Sequence, residues 1–128
     1  MILLDSSVWI EAVRRPDLRL EEAVPLDHVV TCLPVIQEVL QGFREEADFR
    51  RARTALMSVD IVESPLRIEV YEDAIALFRQ ARRAGITPRS SVDCLIAACA
   101  LRNNLEVVHI DRDFAALARV SGLKQREI

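Results

Sequence analysis

At 128 residues the chain predicts one domain, spanning 1–128, with a proper core of its own. Hydrophobic residues make up 51% of it and glycine occurs three times, which excludes a disordered or fibrous chain. The formal charge of −3 excludes a bulk electrostatic grip on nucleic acid but not a local one, because arginines gather at 14–15, 50–53, 79–83 and 89.

Residues 1–5, MILLD, form an apolar run ending in an acid, the pattern of a strand covered on both faces. Ser6 and Ser7 start a helix carrying Val8, Trp9, Ile10 and Val13, which fades near Arg15 and Pro16. A short helix or loop follows over 20–28, and the β-branched run VVTCL, 29–33, is the second predicted strand. Pro34 suits the first turn of the next helix, PVIQEVLQG, with Val35, Ile36, Val39 and Leu40 inward and Gly42 at its stop. A charged amphipathic helix over 44–58 has Phe49, Ala52 and Leu56 as its apolar side. VDIVE, 59–63, is the third strand, with Val59, Ile61 and Val62 as its apolar members. Pro65 opens a long helix to about Ala84, striped by Val70, Ala74, Leu77, Phe78 and Ala81 and ended by Gly85. After the loop GITPRSS a helix runs from about 91 to Asn103 or Asn104, and LEVVHI, 105–110, is the fourth strand. A turn or two of helix spans Asp113 to Val120, and Gly122 to Ile128 is a short edge strand or a tail. Strands alternating with helices across short loops predict a three-layer α/β/α sandwich around a mainly parallel sheet of four to five strands.

Within SSVDCLIAACA, 90–100, Asp93, Ile96, Ala97 and Ala100 recur at i, i+3, i+4 and i+7, so a carboxylate lies in a packing stripe. Such a group is expensive to bury unless it is paired, hydrogen-bonded or bound to a metal. One solution is local: Ser90 or Ser91 caps the helix while backbone donors and the helix dipole satisfy Asp93. The other is convergence with further acids. Ligands of a parallel α/β sheet bind beyond the carboxyl ends of its strands. Asp5 closes the first strand and Asp111 the fourth, while Glu38 and Asp93 lie in early helix turns at the same edge. Each has a plain structural role as its alternative: Asp5 as a helix cap, Glu38 as a solvated helix residue, Asp111 and Asp113 as turn and cap residues. Four carboxylates meeting without a cation would repel one another and be forced to protonate. A hard dication, Mg²⁺ or Mn²⁺, suits such an all-oxygen set, and it can activate water and screen a phosphodiester. Cys32, Cys94 and Cys99 form no CxxC pair and sit in apolar sequence, which with only His28 and His109 disfavours zinc and a disulfide frame.

With these residues in view the chain resembles the PIN-domain ribonucleases, most closely the VapC-type toxins of toxin–antitoxin pairs. The resemblance rests on ILLDSSVWIE, PVIQEVLQG, GITPRSSVDCLIAACA and VVHIDRDF, which follow the family's order across almost the whole chain. It implies a PIN-like fold and a Mg²⁺- or Mn²⁺-dependent endoribonuclease with Asp5, Glu38, Asp93 and Asp111 as the acidic quartet, Glu38 holding metal or taking a proton from the attacking water. Asp113, which with Phe114 matches an Asp-Phe pair of the family, takes a supporting role. His109 stands where many relatives carry Thr or Ser, and either replaces that hydroxyl or is a strand-end residue with its ring on a backbone carbonyl. Ser6 matches a hydroxyl position and bonds a metal-bound water, caps the first helix, or does both. Arg89 and Arg112 are the best-placed cations for RNA phosphates, or are simply solvated.

The same resemblance implies three partners: an RNA substrate, a VapB-type antitoxin whose tail covers the acidic cleft, and a second copy in a homodimer. No apolar run reaches membrane-span length and MILLD lacks a basic leader, so a soluble, cytoplasmic protein with no membrane association is expected. Two other readings compete. One is a catalytically inactive PIN-fold module that binds RNA or protein. The other is a receiver-like phosphoacceptor, which would want paired acids after the first strand and a lysine near the fifth, whereas MILLDSS supplies one acid and the sole lysine is Lys124.

Overall fold

A computed structural model describes residues 1–128. The apolar runs near 2, 29 and 106 become strands because helices cover both faces and nearly every side chain can be buried. β1 (Ile2–Leu4), β2 (Val29–Cys32), β3 (Asp60–Val62), β4 (Glu106–His109) and β5 (Lys124–Glu127) form one sheet in the order β3-β2-β1-β4-β5. Every pairing is parallel. The C-terminal segment is therefore a strand and not a tail, paired with β4 from Glu106 opposite Lys124 to His109 opposite Glu127.

The helices are α1 (Ser6–Arg14), α2 (Leu20–Ala23), α3 (Leu33–Gly42), α4 (Glu46–Leu56), α5 (Ile68–Arg83), α6 (Ser91–Arg102) and α7 (Arg112–Ala118), with one 3-10 turn at Leu26–His28. α1, α3 and α4 pack on one another, as do α5, α6 and α7. Right-handed crossovers put these two groups on opposite faces of the sheet, which completes the three layers. A single cluster of 30 buried hydrophobic residues joins the layers.

Three details depart from the periodicity. α5 begins at Ile68 and not at Pro65, because Leu66 tucks against the core and the chain stays extended through Arg67 (φ −86°, ψ 163°). Ile61 is exposed and Val62 half-buried, since β3 is an edge strand with a neighbour on one side only. α6 is buried almost all round, from Asp93 through Ala100, and not along a single stripe. Its alanines and cysteines are small enough for a helix held between the sheet and α5. The three cysteines are buried and free. No helix is long and apolar enough to cross a membrane.

β1 lies at the centre of the sheet, and the direction of strand addition reverses between β1 and β4. The carboxyl ends of those two strands flank the topological switch point, where open α/β sheets place their ligands.

Candidate metal centre

Asp5 leaves β1 in extended conformation and caps α1. Its carboxylate accepts from the Ser7 backbone N–H at 3.2 Å and from the Ser7 hydroxyl at 2.6 Å. Its own N–H donates to the Val108 carbonyl at 2.9 Å, so the β1–β4 pairing holds the residue in place. The Ser7 oxygen in turn accepts from the Ile110 N–H at 3.2 Å and ties the two strand ends together. The Ser6 hydroxyl, with one proton to give, donates to Glu38 Oε1 at 2.8 Å and lies 3.4 Å from Asp5 Oδ1. Asp5 is thus both cap and cleft residue, and Glu38 is brought to it from α3. The part played by Ser7 was not foreseen. Its sequence signal is its place beside Ser6 at the start of a helix, which does not foretell a bond to Asp5 or to the Ile110 N–H.

At the end of β4, Asp111 caps α7 by accepting from the Asp113 N–H at 3.0 Å. The Asp111 N–H donates to His109 Nδ1 at 3.1 Å. The ring proton therefore sits on Nε2, which donates to the Gln125 side-chain oxygen at 2.6 Å. His109 is fully buried with its ring tilted against Phe114, centroids 5.3 Å apart. The partner of the ring is thus an amide on β5 and not a backbone carbonyl, and the ring fixes the backbone of Asp111 from beneath.

Ser90 caps α6 through a 3.1 Å bond from the Val92 N–H, which leaves Asp93 free of capping duty. Asp93 is buried and receives no backbone hydrogen bond. One oxygen each from Asp5, Glu38 and Asp93 lie within 4.8 Å of one another, and so do oxygens of Asp93, Asp111 and Asp113. Asp93 belongs to both triads. Asp113 is also buried, and its Oδ2 accepts from the Arg89 N–H at 2.9 Å, which anchors the loop before α6 to α7. Five acids meet here, and none of them forms an ion pair with any basic side chain of the chain. The Arg89 and Arg112 guanidinium groups are exposed and likewise unpaired.

The electrostatics follow. Burial, then the neighbouring Asp113 carboxyl, then the charges of Asp5, Asp111 and Asp113 push the Asp93 carboxyl up to about 8. Burial also raises Asp5 and Glu38 above the usual carboxylate range, against the opposing hydrogen bonds from Ser7 and Ser6. Oxygen donors only, crowded, partly desolvated and lacking a counter-ion, are the donor set a hard dication fits. Both nitrogens of His109 are engaged elsewhere, so the cleft offers no imidazole for zinc. A cavity of about 310 Å³ opens beside Glu38, walled by Gln37, Gln41, Leu66, Tyr71 and Val92 among others. Lys124 begins β5, at the opposite edge of the sheet, with its Nζ on Asn104 at 3.1 Å, so it is not near the acids as a receiver site would need.

A parallel sheet with carboxylates gathered at its switch point is the layout of a PIN domain, and the profile of that domain matches residues 2–120. VapC ribonuclease Mb1587 of Mycobacterium bovis and Ribonuclease VapC11 of Mycobacterium tuberculosis are each 35% identical to the chain over 136 aligned positions, 97% of this chain and 96% of theirs. Among solved structures, VapBC-5 of Mycobacterium tuberculosis superposes with a TM-score of 0.72 at 23% identity, over 99% of this chain and 98% of that one. VapBC2 of Rickettsia felis, solved on a DNA fragment from its promoter, gives 0.76 at 14% identity over 100% and 99%. The chain belongs to the PIN-domain family and, within it, to the VapC ribonucleases.

Proposed function

We propose that this chain is a Mg²⁺- or Mn²⁺-dependent endoribonuclease, the toxin of a VapBC-type pair, working as one domain over residues 1–128. The observation that carries the reading is the position of Asp93: a buried carboxyl shared by two acid triads, with no cation from the protein to balance them. Asp5, Asp93 and Asp111 would hold the principal ion, directly or through water. A dication bound there supplies a water of lowered pKa and screens the charge of a phosphodiester. Glu38, its carboxyl raised by burial and oriented by Ser6, is placed to take the proton of the attacking water. Asp113 keeps α7 and the loop before α6 in register, so that Asp93 and Asp111 face one cleft. Arg89 and Arg112, exposed beside the acids, grip flanking phosphates without reading sequence.

The partners follow from the same site. RNA is the substrate, and a VapB-type antitoxin that covers the acids would silence it. The VapBC-5 and VapBC2 structures that superpose on this chain, members of VapBC toxin-antitoxin systems, support that pairing. A homodimer is the assembly we assign. To test the activity, RNA cleavage is followed for wild type, Asp5→Asn and Asp93→Asn with Mg²⁺ and with chelator. Cleavage by the wild type with metal alone, and by neither variant, is expected; full cleavage by both variants ends the nuclease reading. Mn²⁺ binding without any cleavage by the wild type would favour the inactive binding module.

A further inference from the structure

Beside the acid cleft lies a second space, which the hydrolytic chemistry leaves unused. The cavity of about 310 Å³ next to Glu38 is built by α3, by the extended stretch before α5 and by the early turns of α5 and α6. Leu33, Leu66 and Leu95, all half-buried, give it an apolar lining. Leu66 joins that lining because α5 starts only at Ile68, which also puts Tyr71 in the first turn of the helix. Gln37 and Gln41, about one turn apart on α3, line it together with Tyr71. All three are exposed, and none of their side chains forms a hydrogen bond within the chain. Two amides and an aromatic ring therefore have no task in the folded chain.

Glu38 belongs both to this cavity and to the triad it forms with Asp5 and Asp93. The space is a side chamber of the cleft, next to the place a scissile phosphate would take. No basic side chain lines it, so it gives a phosphate nothing to pair with. An apolar lining under amides suits a flat group with apolar faces and a polar edge. In an RNA strand held at the acids, the bases are the groups of that kind, and one sugar separates a base from its phosphate.

We propose that this cavity takes the nucleobase next to the scissile phosphate, with Tyr71 against its face and Gln37 and Gln41 on its hydrogen-bonding edge. Unpaired RNA bases are recognised in this way, by stacking on aromatic rings and by hydrogen bonds to their edges. A glutamine amide carries one acceptor and two donors, so it can meet a base edge that offers a donor beside an acceptor. Phosphate contacts carry no sequence information, so Arg89 and Arg112 cannot choose the site of cutting, whereas a seated base can. The seat also fixes the strand on one side of the bond to be broken. The inference rests on the ribonuclease reading and adds to it the residues that select the cut.

A pool of RNA with randomised unpaired positions tests it, cut with Mn²⁺ by wild type, Tyr71→Ala and the double variant Gln37→Leu/Gln41→Leu, with the new ends sequenced. The wild type should favour particular bases at one position flanking the cut, and the double variant should lose that preference. Tyr71→Ala should cut about 10-fold or more slowly, the loss expected for one stacked base. An abasic nucleotide at the favoured position should slow the wild type by a similar factor but leave Tyr71→Ala unaffected, because the two changes remove the same contact. Calorimetric Mn²⁺ affinity should match the wild type in both variants, which separates this role from damage to the acids. A wild type with no preference beside the cut, variants that keep both rate and preference, or an abasic penalty equal in wild type and Tyr71→Ala would each overturn the proposal. So would a Tyr71→Ala protein whose only defect is a lost dimer or a lost hold on its VapB-type antitoxin, which would give the cavity to that occupant instead. If the wild type cuts no RNA, the nuclease reading falls and retention of the same pool on the immobilised protein with Mn²⁺ decides the cavity separately. About 10-fold less RNA held by Tyr71→Ala would support a base seat, and equal retention would remove it.

Discussion

Asp93 cannot ionise without placing a charge among other carboxylates that have no counter-ion in the chain. Its carboxyl is raised to about 8, so between about pH 4 and about pH 8 the metal-free native state holds a proton that the unfolded chain has released. The stability this contributes is fully present below the unfolded value and is lost as pH rises through the folded one. In chelator, the melting temperature should therefore fall by about 5 °C or more from mildly acidic to mildly alkaline buffer. Asp93→Asn should remove most of that slope, and Mn²⁺ should oppose it, because the ion binds the deprotonated acids. A flat melting profile in chelator would contradict the burial assigned to Asp93. A second residue makes a separate test. Thr31 is fully buried with its hydroxyl unpartnered, so Thr31→Val should raise stability by about 1 kcal/mol in urea unfolding. Both acids that end strands were legible in the sequence, because an apolar run closing on Asp is a local pattern. Asp113 reads from the sequence as a supporting residue, and its nearness to Asp93 is not legible there. Two aspartates spaced like cap and first-turn residues look the same whether or not a distant helix packs against them.

Among the elements, β5 has the least apolar sequence and a large part in the site. Gln125 on it holds His109, and His109 holds the backbone of Asp111. Gln125→Leu should leave a buried ring N–H unpaired at a cost of about 1–3 kcal/mol. It should also weaken Mn²⁺ binding by about 10-fold or more, since groups that orient a ligand from behind matter at that scale. Calorimetric titration of Mn²⁺ reads this directly, and unchanged affinity would show that the chain from β5 to Asp111 is not needed. Phe114, also fully buried, packs on the same ring, and Phe114→Ala should cost about 3–5 kcal/mol in unfolding. Periodicity placed every helix of more than one turn and the strands at 2, 29, 60 and 106, because each pattern is carried by near neighbours in sequence. It put the start of α5 at Pro65, since proline suits a first helical turn, whereas the burial of Leu66 keeps that stretch extended. It names Ile61 as an apolar member of the third strand but does not foretell its exposure, since strand order, and so which strand lies at an edge, is a non-local property.

The whole molecule brings together residues from positions 5, 38, 93, 111 and 113 because one strand order puts β1 and β4 side by side at the switch point. Helix starts on both faces of the sheet then point their first turns at the same edge. The sequence can show that five acids sit at strand ends and helix starts. That two triads share Asp93 comes from packing α6 between the sheet and its neighbouring helices. This shared carboxyl is what would make the cluster a metal-dependent ribonuclease site, as proposed above. Cleavage of RNA by the wild type and by Asp93→Asn, each assayed with Mn²⁺ and again after chelation, tests this most directly. Cleavage by the wild type with Mn²⁺ alone, lower by about 100-fold or more in the variant, is the predicted result. An Asp93→Asn protein that cuts at the wild-type rate, or a wild type indifferent to chelation, would contradict it.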